Sequence, residues 1–443
     1  MSPDPKLLNN TGDLLADVLS AFDALPKPAS FKLTTEPVRR VLEALGRPQD
    51  RLPPVIHIAG TNGKGSTTAF MRAIAEAHGL KVHVDTSPHL IHVNERIRLA
   101  GELISDEALR VYMERVLAAN AGEPLSFFEG MTCAAYLAFS ETPADLTLVE
   151  VGLGGRFDST NVFDKVAVSV ITPIDYDHKD FLGFHLCQIA WEKAGIIKSE
   201  APVVTAVQAR EVERTLRAEA VYRGAPFFRL EDVAGYEVTS HDPADMRMTL
   251  SVDGFELEDV GLGLYGVHQF SNAALAIYAL QKSGVVSLKT DKVKAGLMAV
   301  DWPVRLQTLK DGPVTQMLPG KKVVVDGGHN PHAAAAIAQT MVAHAPVSVA
   351  IAMLKVKDAG EYLKNLAPVI GHLACIPMPG DRNGHDPAHL QAVAEKLGLS
   401  ASAHDSLDEG LERLAYEKSD LAFLCGSLYL AGDILRRNGE TVS

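Results

Sequence analysis

The stretch that decides the fold is Val55-Ile56-His57-Ile58-Ala59 followed by Gly60-Thr61-Asn62-Gly63-Lys64-Gly65-Ser66. The apolar run predicts a buried strand, the glycines predict a turn, and the residues up to about His78 predict a helix. Glycines let backbone N–H groups converge on phosphate oxygens, the helix N-terminus adds positive partial charge, and the lysine reaches the outer phosphates. We therefore predict a nucleotide-binding loop made of Gly60, Thr61, Asn62, Gly63, Lys64, Gly65 and Ser66.

Around this loop, apolar strands alternate with helical stretches. Further strands are predicted at 80–86, 145–155, 166–174 and 201–207, which indicates a parallel sheet wrapped by helices. Residues 226–262 show short alternating runs instead, so an antiparallel excursion is expected there. The pattern restarts after Trp302-Pro303. The fold class is α/β, with a P-loop-type parallel sheet domain over residues 1–303 and a smaller C-terminal Rossmann-like domain over residues 304–443.

Composition excludes several classes of protein. The chain has 443 residues, 47% of them hydrophobic and 22% charged, which is ordinary for a globular protein. A net charge of −13 makes a general nucleic-acid binder a poor candidate. The four cysteines lack metal-ligand spacing, no apolar run is long enough for a membrane span, and the N-terminus lacks the apolar core of a signal peptide. A cytoplasmic protein is expected, without a nucleic-acid or membrane partner.

Further segments complete a pattern that covers about residues 30–435. The form G-T-N-G-K-G-S of the loop resembles that of folylpolyglutamate synthases, which belong to the Mur-ligase-like ATP-dependent amide ligases. The other segments that agree in order are TSPHL (86–90), NERI (94–97), EVGLGGRFDSTN (150–161), DHKDFLG (177–183), EKAGI (192–196), NAA (272–274), WPVRLQ (302–307), DGGHNP (326–331) and GSLY (426–429).

The resemblance implies an activity. A carboxylate takes the γ-phosphoryl group of ATP to give an acyl phosphate, and the amine of L-glutamate then displaces phosphate to form an amide. The carboxylate belongs to dihydropteroate or to the terminal glutamate of a folate, so a bifunctional dihydrofolate and folylpolyglutamate synthase is expected. The alternatives are a monofunctional folylpolyglutamate synthase and another Mur-like ligase. A monomer that uses ATP and Mg²⁺ is expected.

The resemblance also implies site residues. Lys64 and Mg²⁺ would hold two anions together against their repulsion. Magnesium ligands are implied at Ser87, Glu150 and His178, which follow predicted strands where α/β sites gather. Asn272, Arg305 and Asp326 are implied nucleotide contacts, and His329 is expected to place the glutamate or the acyl phosphate. Lys355 and Asp358 are expected near that second group of residues.

The pteroyl side and one lysine complete the predicted site. The resemblance places the substrate against two segments, and aromatic faces with a carboxylate suit a flat pterin. In the EKAGI segment, Lys193 is commonly carbamylated in the family, and that reaction requires a free amine and hence a lowered pKa. The loop 26–37 is a further candidate wall. The predicted substrate residues are Ser126, Phe127, Phe128, Glu129, Phe157, Asp158 and Ser159.

Two departures and two rival interpretations accompany this assignment. Val304 stands where the family usually has glycine, and DGGHNP stands where DGAHNP is commoner. A peptidoglycan-precursor ligase would normally carry a further N-terminal domain before the phosphate loop, which begins here at residue 60. A GTPase-type switch would need an N-K-x-D or T-K-x-D segment, and the sequence contains neither.

Overall fold

A computed structural model of the chain describes residues 13–26, 33–242, 245–380 and 382–442. The predicted loop 26–37 therefore lies partly outside the described residues. The chain divides into two compact units. Unit 1 comprises the described residues of Met1–Ser240, Arg247–Gly263 and Phe270–Val300, and unit 2 comprises those of His241–Met246, Leu264–Gln269 and Asp301–Ser443.

The strand–turn–helix pattern predicted from residue 55 onwards is present in unit 1. Its elements, in chain order, are α1 (Asp13–Asp23), α2 (Glu36–Ala44), β1 (Val55–Ala59), α3 (Lys64–Ala77), β2 (Val82–Asp85), β3 (Ile97–Leu99), β4 (Glu102–Leu103), α4 (Asp106–Asn120), α5 (Phe127–Glu141), β5 (Leu146–Glu150), β6 (Val168–Ile171), α6 (Lys179–Leu182), α7 (Leu186–Ala194), β7 (Val203–Thr205), α8 (Arg210–Arg223), β8 (Phe227–Arg229), β9 (Ala234–Asp242), β10 (Asp245–Val252), β11 (Phe255–Leu262), α9 (His268–Ser283) and α10 (Thr290–Ala299).

The main sheet has the strand order β4-β3-β2-β5-β1-β6-β7-β8. β1 pairs in parallel with β5 on one side and β6 on the other, so the phosphate loop leaves the middle of the sheet. Because β2 lies beyond β5 while β6 and β7 lie beyond β1, the chain reverses direction across the sheet at β1. Ligands of open α/β sheets bind at the carboxyl ends of strands at such a point.

Two hydrophobic clusters contribute buried residues to unit 1. One draws on α1, α2, α4 and α5 and includes Phe22, Tyr136 and Phe139, and the other draws on α7 and α8 and includes Ile189, Val212 and Leu216. The central strands are buried along their whole length, as expected for a parallel sheet with helices packed on it. This buried frame fixes where the strand ends lie.

The predicted antiparallel excursion forms a three-stranded sheet in the order β11-β10-β9. β10 alternates buried and less buried residues, which is the period-two pattern of a strand with one packed face. The prediction was wrong at the start of this segment, because β8 pairs in parallel with β7 in the main sheet. It also omitted β3 and β4, which make the main sheet mixed by pairing antiparallel at its edge.

Unit 2 is a smaller α/β unit with its own sheet in the order β12-β13-β17-β14-β15-β16. The pairs β13–β17, β14–β17, β14–β15 and β15–β16 are parallel, and β12 runs antiparallel to β13 at the edge. Its elements are β12 (Gln307–Thr308), α11 (Pro313–Gln316), β13 (Lys322–Val325), α12 (Pro331–Met341), β14 (Val347–Ile351), α13 (Ala359–Leu366), β15 (Ile370–Cys375), α14 (Pro387–Lys396), β16 (Ala401–Ala403), α15 (Leu407–Ala415), β17 (Leu421–Cys425) and α16 (Leu428–Asn438).

A search for membrane-spanning helices covered the described residues. None of the helices there combines the length and the apolar character that crossing a bilayer requires.

Candidate functional site

The phosphate loop runs from the end of β1 into the first turn of α3. Gly63 precedes the helix with φ +86°, a left-handed conformation that favours glycine. A Cβ atom there would lie 2.6 Å from Oδ1 of Asn272, which comes from α9. The structure therefore brings the predicted nucleotide contact Asn272 against the loop, and Gly63 makes that approach sterically possible.

Backbone hydrogen bonds hold the start of the loop. The amides of Thr61 and Asn62 donate to the carbonyl of Pro173, at 2.9 and 3.3 Å, and Pro173 lies just after β6. The Thr61 hydroxyl donates to the Asp175 carbonyl at 2.9 Å. The loop is thus anchored on the strand next to β1, and Gly65 and Ser66, which lie in the first turn of α3, are buried.

Two lysines converge on the same carbonyl oxygen of this loop. Lys193 Nζ donates to the oxygen of Gly60 at 2.8 Å, and Lys64 Nζ donates to it at 3.2 Å. Lys193 is buried near the end of α7. Burial, with the positive charge of Lys64 acting in the same direction, lowers the pKa of Lys193 to about 7. A neutral amine is therefore accessible at Lys193 near neutral pH.

Buried carboxylates gather close to the ends of β2 and β5. Glu150 ends β5 and is 5% exposed, and Asp85 ends β2 and is 7% exposed. Burial raises the pKa of Asp85 well above its usual range, and the negative charges of Asp158 and Glu150 act in the same direction against Arg96. Among the described residues, Oδ2 of Asp85 has no hydrogen-bond partner. Sequence reasoning missed Asp85, although an acid closing an apolar strand was the available signal.

Two of the predicted magnesium ligands, Ser87 and His178, lie on loops outside the strands and helices. Ser87 lies two residues after the end of β2. His178 directly precedes α6 and has φ +50°. Its Nε2 lies 3.9 Å from Oδ2 of Asp177. In the part of the chain that the structure describes, no group of three His, Cys, Asp or Glu side chains forms a ready metal site. The predicted magnesium ligands include only two side chains of these types, Glu150 and His178, together with the hydroxyl of Ser87. A hydroxyl, Glu150 and the orphaned oxygen of Asp85 are hard donors with negative charge, which suit Mg²⁺.

The first predicted substrate segment forms the start of α5. Ser126 and Glu129 cap that helix reciprocally: the Glu129 amide donates to Ser126 Oγ at 3.3 Å and the Ser126 amide donates to Glu129 Oε2 at 2.7 Å. Phe127 is buried in the hydrophobic core. The Arg96 guanidinium lies 5.8 Å from the ring centres of both Phe127 and Phe128. Of the two aromatic side chains, half-buried Phe128 is the one that is available to a ligand.

The second predicted substrate segment is the turn after β5. Asp158 is buried, and its oxygens accept from the Leu153 amide at 2.7 Å and from the Thr160 amide and hydroxyl at 3.0 and 2.6 Å. Its carboxylate therefore organises the glycine-rich turn. Ser159 lies 3.2 Å from the Thr132 hydroxyl on α5, which joins the two segments. Phe157, by contrast, is 41% exposed and stands beside Trp191.

In unit 2, the residues expected at the site surround the turn after β13. Both oxygens of the buried Asp326 carboxylate accept backbone amides, from Leu306 at 2.8 Å and from Gly328 at 2.6 Å. Burial raises the pKa of Asp326, while nearby Arg305 and these amides oppose the shift. The His329 ring lies 2.9 Å from the Gly327 carbonyl. Asp326 thus ties the segment that carries Arg305 to the glycine turn.

The residue before Arg305 adopts an unusual backbone conformation. Val304, one of the two departures from the family pattern noted in the sequence, has φ +53° and is fully buried. Leu306 on the other side of Arg305 has φ +48°. Lys355 and Asp358 lie on the loop before α13: the Lys355 amide donates to the Asn383 carbonyl at 3.0 Å, and Asp358 caps the helix.

Comparison with known proteins identifies the class first. The Mur ligase middle domain matches residues 58–280, and the Mur ligase glutamate ligase domain matches residues 307–428. These ranges contain the phosphate loop with its neighbouring strand ends and the Asp326 turn. A phosphate loop at the carboxyl edge of a mostly parallel sheet, followed by a second α/β unit, is therefore the Mur ligase arrangement in this chain.

Individual relatives narrow the class. The dihydrofolate synthase/folylpolyglutamate synthase of Bacillus subtilis is 34% identical over 418 residues, covering 90% of this chain and 94% of the relative. Escherichia coli FolC in complex with DHPP and ADP superposes with a TM-score of 0.84 at 32% identity, covering 95% of this chain and 97% of that one. The bifunctional Yersinia pestis enzyme complexed with AMPPNP and a Mn ion gives a TM-score of 0.82 at 27% identity, covering 98% and 99%. The chain belongs to the dihydrofolate synthase/folylpolyglutamate synthase family of Mur ligases.

Proposed function

We propose that this chain joins L-glutamate to dihydropteroate and to the terminal glutamate of folates, at the expense of ATP and through an acyl phosphate. The observation that carries the proposal is the convergence of Lys64 and Lys193 on Gly60, next to the buried acids at the strand ends. Such a site places positive charge beside a phosphate loop and hard oxygen donors nearby. That is what phosphoryl transfer from a nucleotide to a carboxylate requires.

The phosphoryl-transfer roles follow from this geometry. Gly60 to Ser66 form the cradle for the phosphates, Asn272 braces it, and Lys64 neutralises charge that develops during transfer. Mg²⁺, when bound, draws charge from the phosphate oxygens. Ser87, Glu150 and His178 are its proposed ligands, with Asp85 as an additional buried acid. The His178 side chain is about one-third exposed at the start of α6, and it is also proposed as a catalytic residue.

Lys193 has a separate proposed role as a carbamate. The ammonium of Lys193 first loses one proton. Addition of CO₂ to the resulting neutral amine forms an N–C bond and releases a second proton, so a cation becomes an anion. The lowered pKa of about 7 supplies the neutral amine, and the proximity of Lys64 gives the new negative charge a partner. A carbamylated Lys193 would therefore help to position the cationic side chains of the site.

The pteroyl group is proposed to contact the two joined substrate segments. Phe128 offers a half-buried ring, and Ser159 links that helix to the turn after β5. Ser126, Phe127, Glu129 and Asp158 support this surface through capping, burial and turn hydrogen bonds. Phe157, which is exposed, is proposed as a contact at its margin.

The remaining assignments rest on the family relationship. Arg305 and Asp326 are proposed nucleotide contacts, and His329 is proposed to place the glutamate or the acyl phosphate. We also propose domains at residues 1–303 and 304–443, and a monomer that works in the cytoplasm. Light scattering of the purified chain tests the monomer.

The test of the proposed function is a two-substrate assay. Dihydropteroate plus L-glutamate should give dihydrofolate, and tetrahydrofolate plus L-glutamate should give a longer polyglutamate, each with release of one phosphate per amide. ATP turnover that needs both co-substrates distinguishes the ligase from a nucleotide switch. Extension of tetrahydrofolate without formation of dihydrofolate would reduce the proposal to a monofunctional folylpolyglutamate synthase.

A further inference from the structure

Unit 1 contains a cavity of about 320 Å³ that no residue of the phosphate loop lines. Phe157, proposed above as a contact at the margin of the pteroyl surface, is one of its lining residues. We call it the basic pocket and define it by its four cationic lining residues, Arg39, Arg156, Lys198 and Arg223. They come from α2, the turn after β5, the segment after α7 and the end of α8. Elements that are distant in sequence thus bring four positive side chains to one concave surface whose volume suits a small ligand.

The amino group of Lys198 is held firmly in this pocket. Its Nζ donates to Oδ1 of Asn161 at 2.7 Å. Asn161 is itself fixed, because its amide nitrogen donates to the carbonyls of Arg156 and Gly195, both at 3.0 Å. Burial, together with the positive charges of Arg39, Arg223 and Arg156, lowers the pKa of Lys198 to about 8, and the negative charge of Asp164 opposes that shift. The pocket therefore carries excess positive charge that acts on its own lysine.

Carboxylates compensate this charge only in part. Glu219 accepts from Arg156 at 2.8 Å and from Arg223 at 3.0 Å, so one carboxylate is shared by two guanidinium groups. Asp164 is the acid that raises the pKa of Lys198, and because its side chain is 78% exposed, solvent screens its charge. Four cations thus face two carboxylates, one of them weakly. Clustered, partly buried cations are costly unless anions pair with them.

We propose that the basic pocket binds a small polyanion that presents two or more anionic oxygen groups. Guanidinium forks bind phosphate and carboxylate oxygens in the same bidentate manner, and the fixed Lys198 amine supplies a point charge between them. Two sources share this chemistry: a diphosphate group, or the carboxylates of a γ-linked oligoglutamate. The acidic balance of the whole chain, −13, makes this local positive surface a specific feature.

Calorimetry on the full chain tests the proposal. The phosphate loop is first saturated with AMPPNP and Mg²⁺, and the protein is then titrated with pyrophosphate or with γ-glutamylglutamate at constant ionic strength and matched free Mg²⁺. Saturable binding of one equivalent is expected for at least one probe. Arg39→Gln, which alters an exposed side chain, should weaken that binding at least about tenfold, the effect of losing one charge-assisted hydrogen bond.

Two control variants make the outcome decisive. Arg110→Gln removes the same charge from a partly exposed arginine that pairs with Glu114 on α4, and it should leave the affinity unchanged. Lys64→Met alters the phosphate loop and should also retain the second site. Binding of pyrophosphate alone assigns a phosphate ligand, and binding of the dipeptide assigns the oligoglutamate class. Absence of saturable binding of both probes, or equal affinity in Arg39→Gln and the parent protein, would overturn the proposal.

Discussion

The two glycine turns of this molecule, one in each unit, are built alike and charged differently. Each follows a buried strand and leads into a helix: β1 to α3 through residues 60–63, and β13 to α12 through residues 326–330. In the first turn, the Gly60 carbonyl receives two lysine amines. In the second turn, one carboxylate, Asp326, receives two backbone amides.

The difference indicates what each turn requires. The Asp326 turn satisfies its polar groups within the protein, and Asn330 completes it by accepting the Ala333 amide at 2.9 Å. The first turn gathers cations around a single carbonyl, an arrangement that bound anions stabilise. Substitutions in the first turn should therefore reduce catalysis, whereas substitutions in the second should first loosen local structure.

The largest effect is expected for Lys64→Ala. Removing a cation that acts on transferring phosphate should lower kcat by about 10³-fold, because that charge counts most in the transition state. The thermal unfolding midpoint should stay within a few degrees of the parent value. Lys364→Ala, which removes an exposed lysine from α13, is the matched control and should retain full turnover. Near-normal turnover in folded Lys64→Ala would remove the phosphate loop from the mechanism.

The next prediction concerns the protonation of Lys193, the second lysine that contacts the first turn. Its pKa falls from 10.5 to about 7 in the folded chain, so the unfolded chain holds one more proton between these values. The contribution of the neutral lysine to stability therefore increases with pH across that window. Carbamylation should follow the neutral amine, so turnover should rise through pH 7, and added bicarbonate should raise it most below pH 7.

The variant Lys193→Met separates the carbamate from a simple cation. Turnover should drop about 10²-fold, the scale of losing one charged group at a phosphoryl-transfer site, and the response to bicarbonate should disappear. Mass spectrometry of the intact parent protein, kept at pH 8 in bicarbonate, should show an added mass of about 44 Da, the mass of CO₂. If bicarbonate did not change the turnover of the parent enzyme between pH 6 and 8, Lys193 would act as a cation and not as a carbamate.

The second turn should respond in its hydrogen exchange. In Asp326→Asn, an amide N–H₂ would face one of the two backbone donors, at a local cost of about 1–3 kcal/mol. The amides of Leu306 and Gly328 should then exchange about tenfold or more faster, while amides in β1 keep their rates. Unchanged exchange at both amides would mean that Asp326 does not organise the turn.

How far the sequence could predict these features depended on whether an apolar run surrounds them. The strands β1, β2, β5, β6 and β7 lie inside apolar runs, so their presence and burial followed from the pattern. β3, β4 and β8 have two or three residues, and each includes a charged residue and lies outside those runs, unlike the equally short β7. The antiparallel edge of the main sheet could therefore not be predicted.

The candidate site shows the same division between local and distant information. The phosphate loop is contiguous, so its residue types and spacing predicted it directly. The orphaned oxygen of Asp85 and the second lysine on the Gly60 carbonyl depend on three-dimensional burial, which the sequence does not display. The capping role of Glu129 was also hidden, because a Ser-x-x-Glu box and a substrate contact use the same residue types.

The smallest effect is expected for Val304→Gly, and here two terms oppose each other. Val304 has φ +53°, which costs a β-branched residue about 1–2 kcal/mol, so glycine relieves strain there. The same change removes a fully buried side chain and adds chain entropy, at about 2–4 kcal/mol together. Val325→Gly in β13 has the burial term without the relief, so urea unfolding should show Val304→Gly as the milder variant by about 1–2 kcal/mol. Equal losses would mean that the left-handed backbone before Arg305 stores no strain.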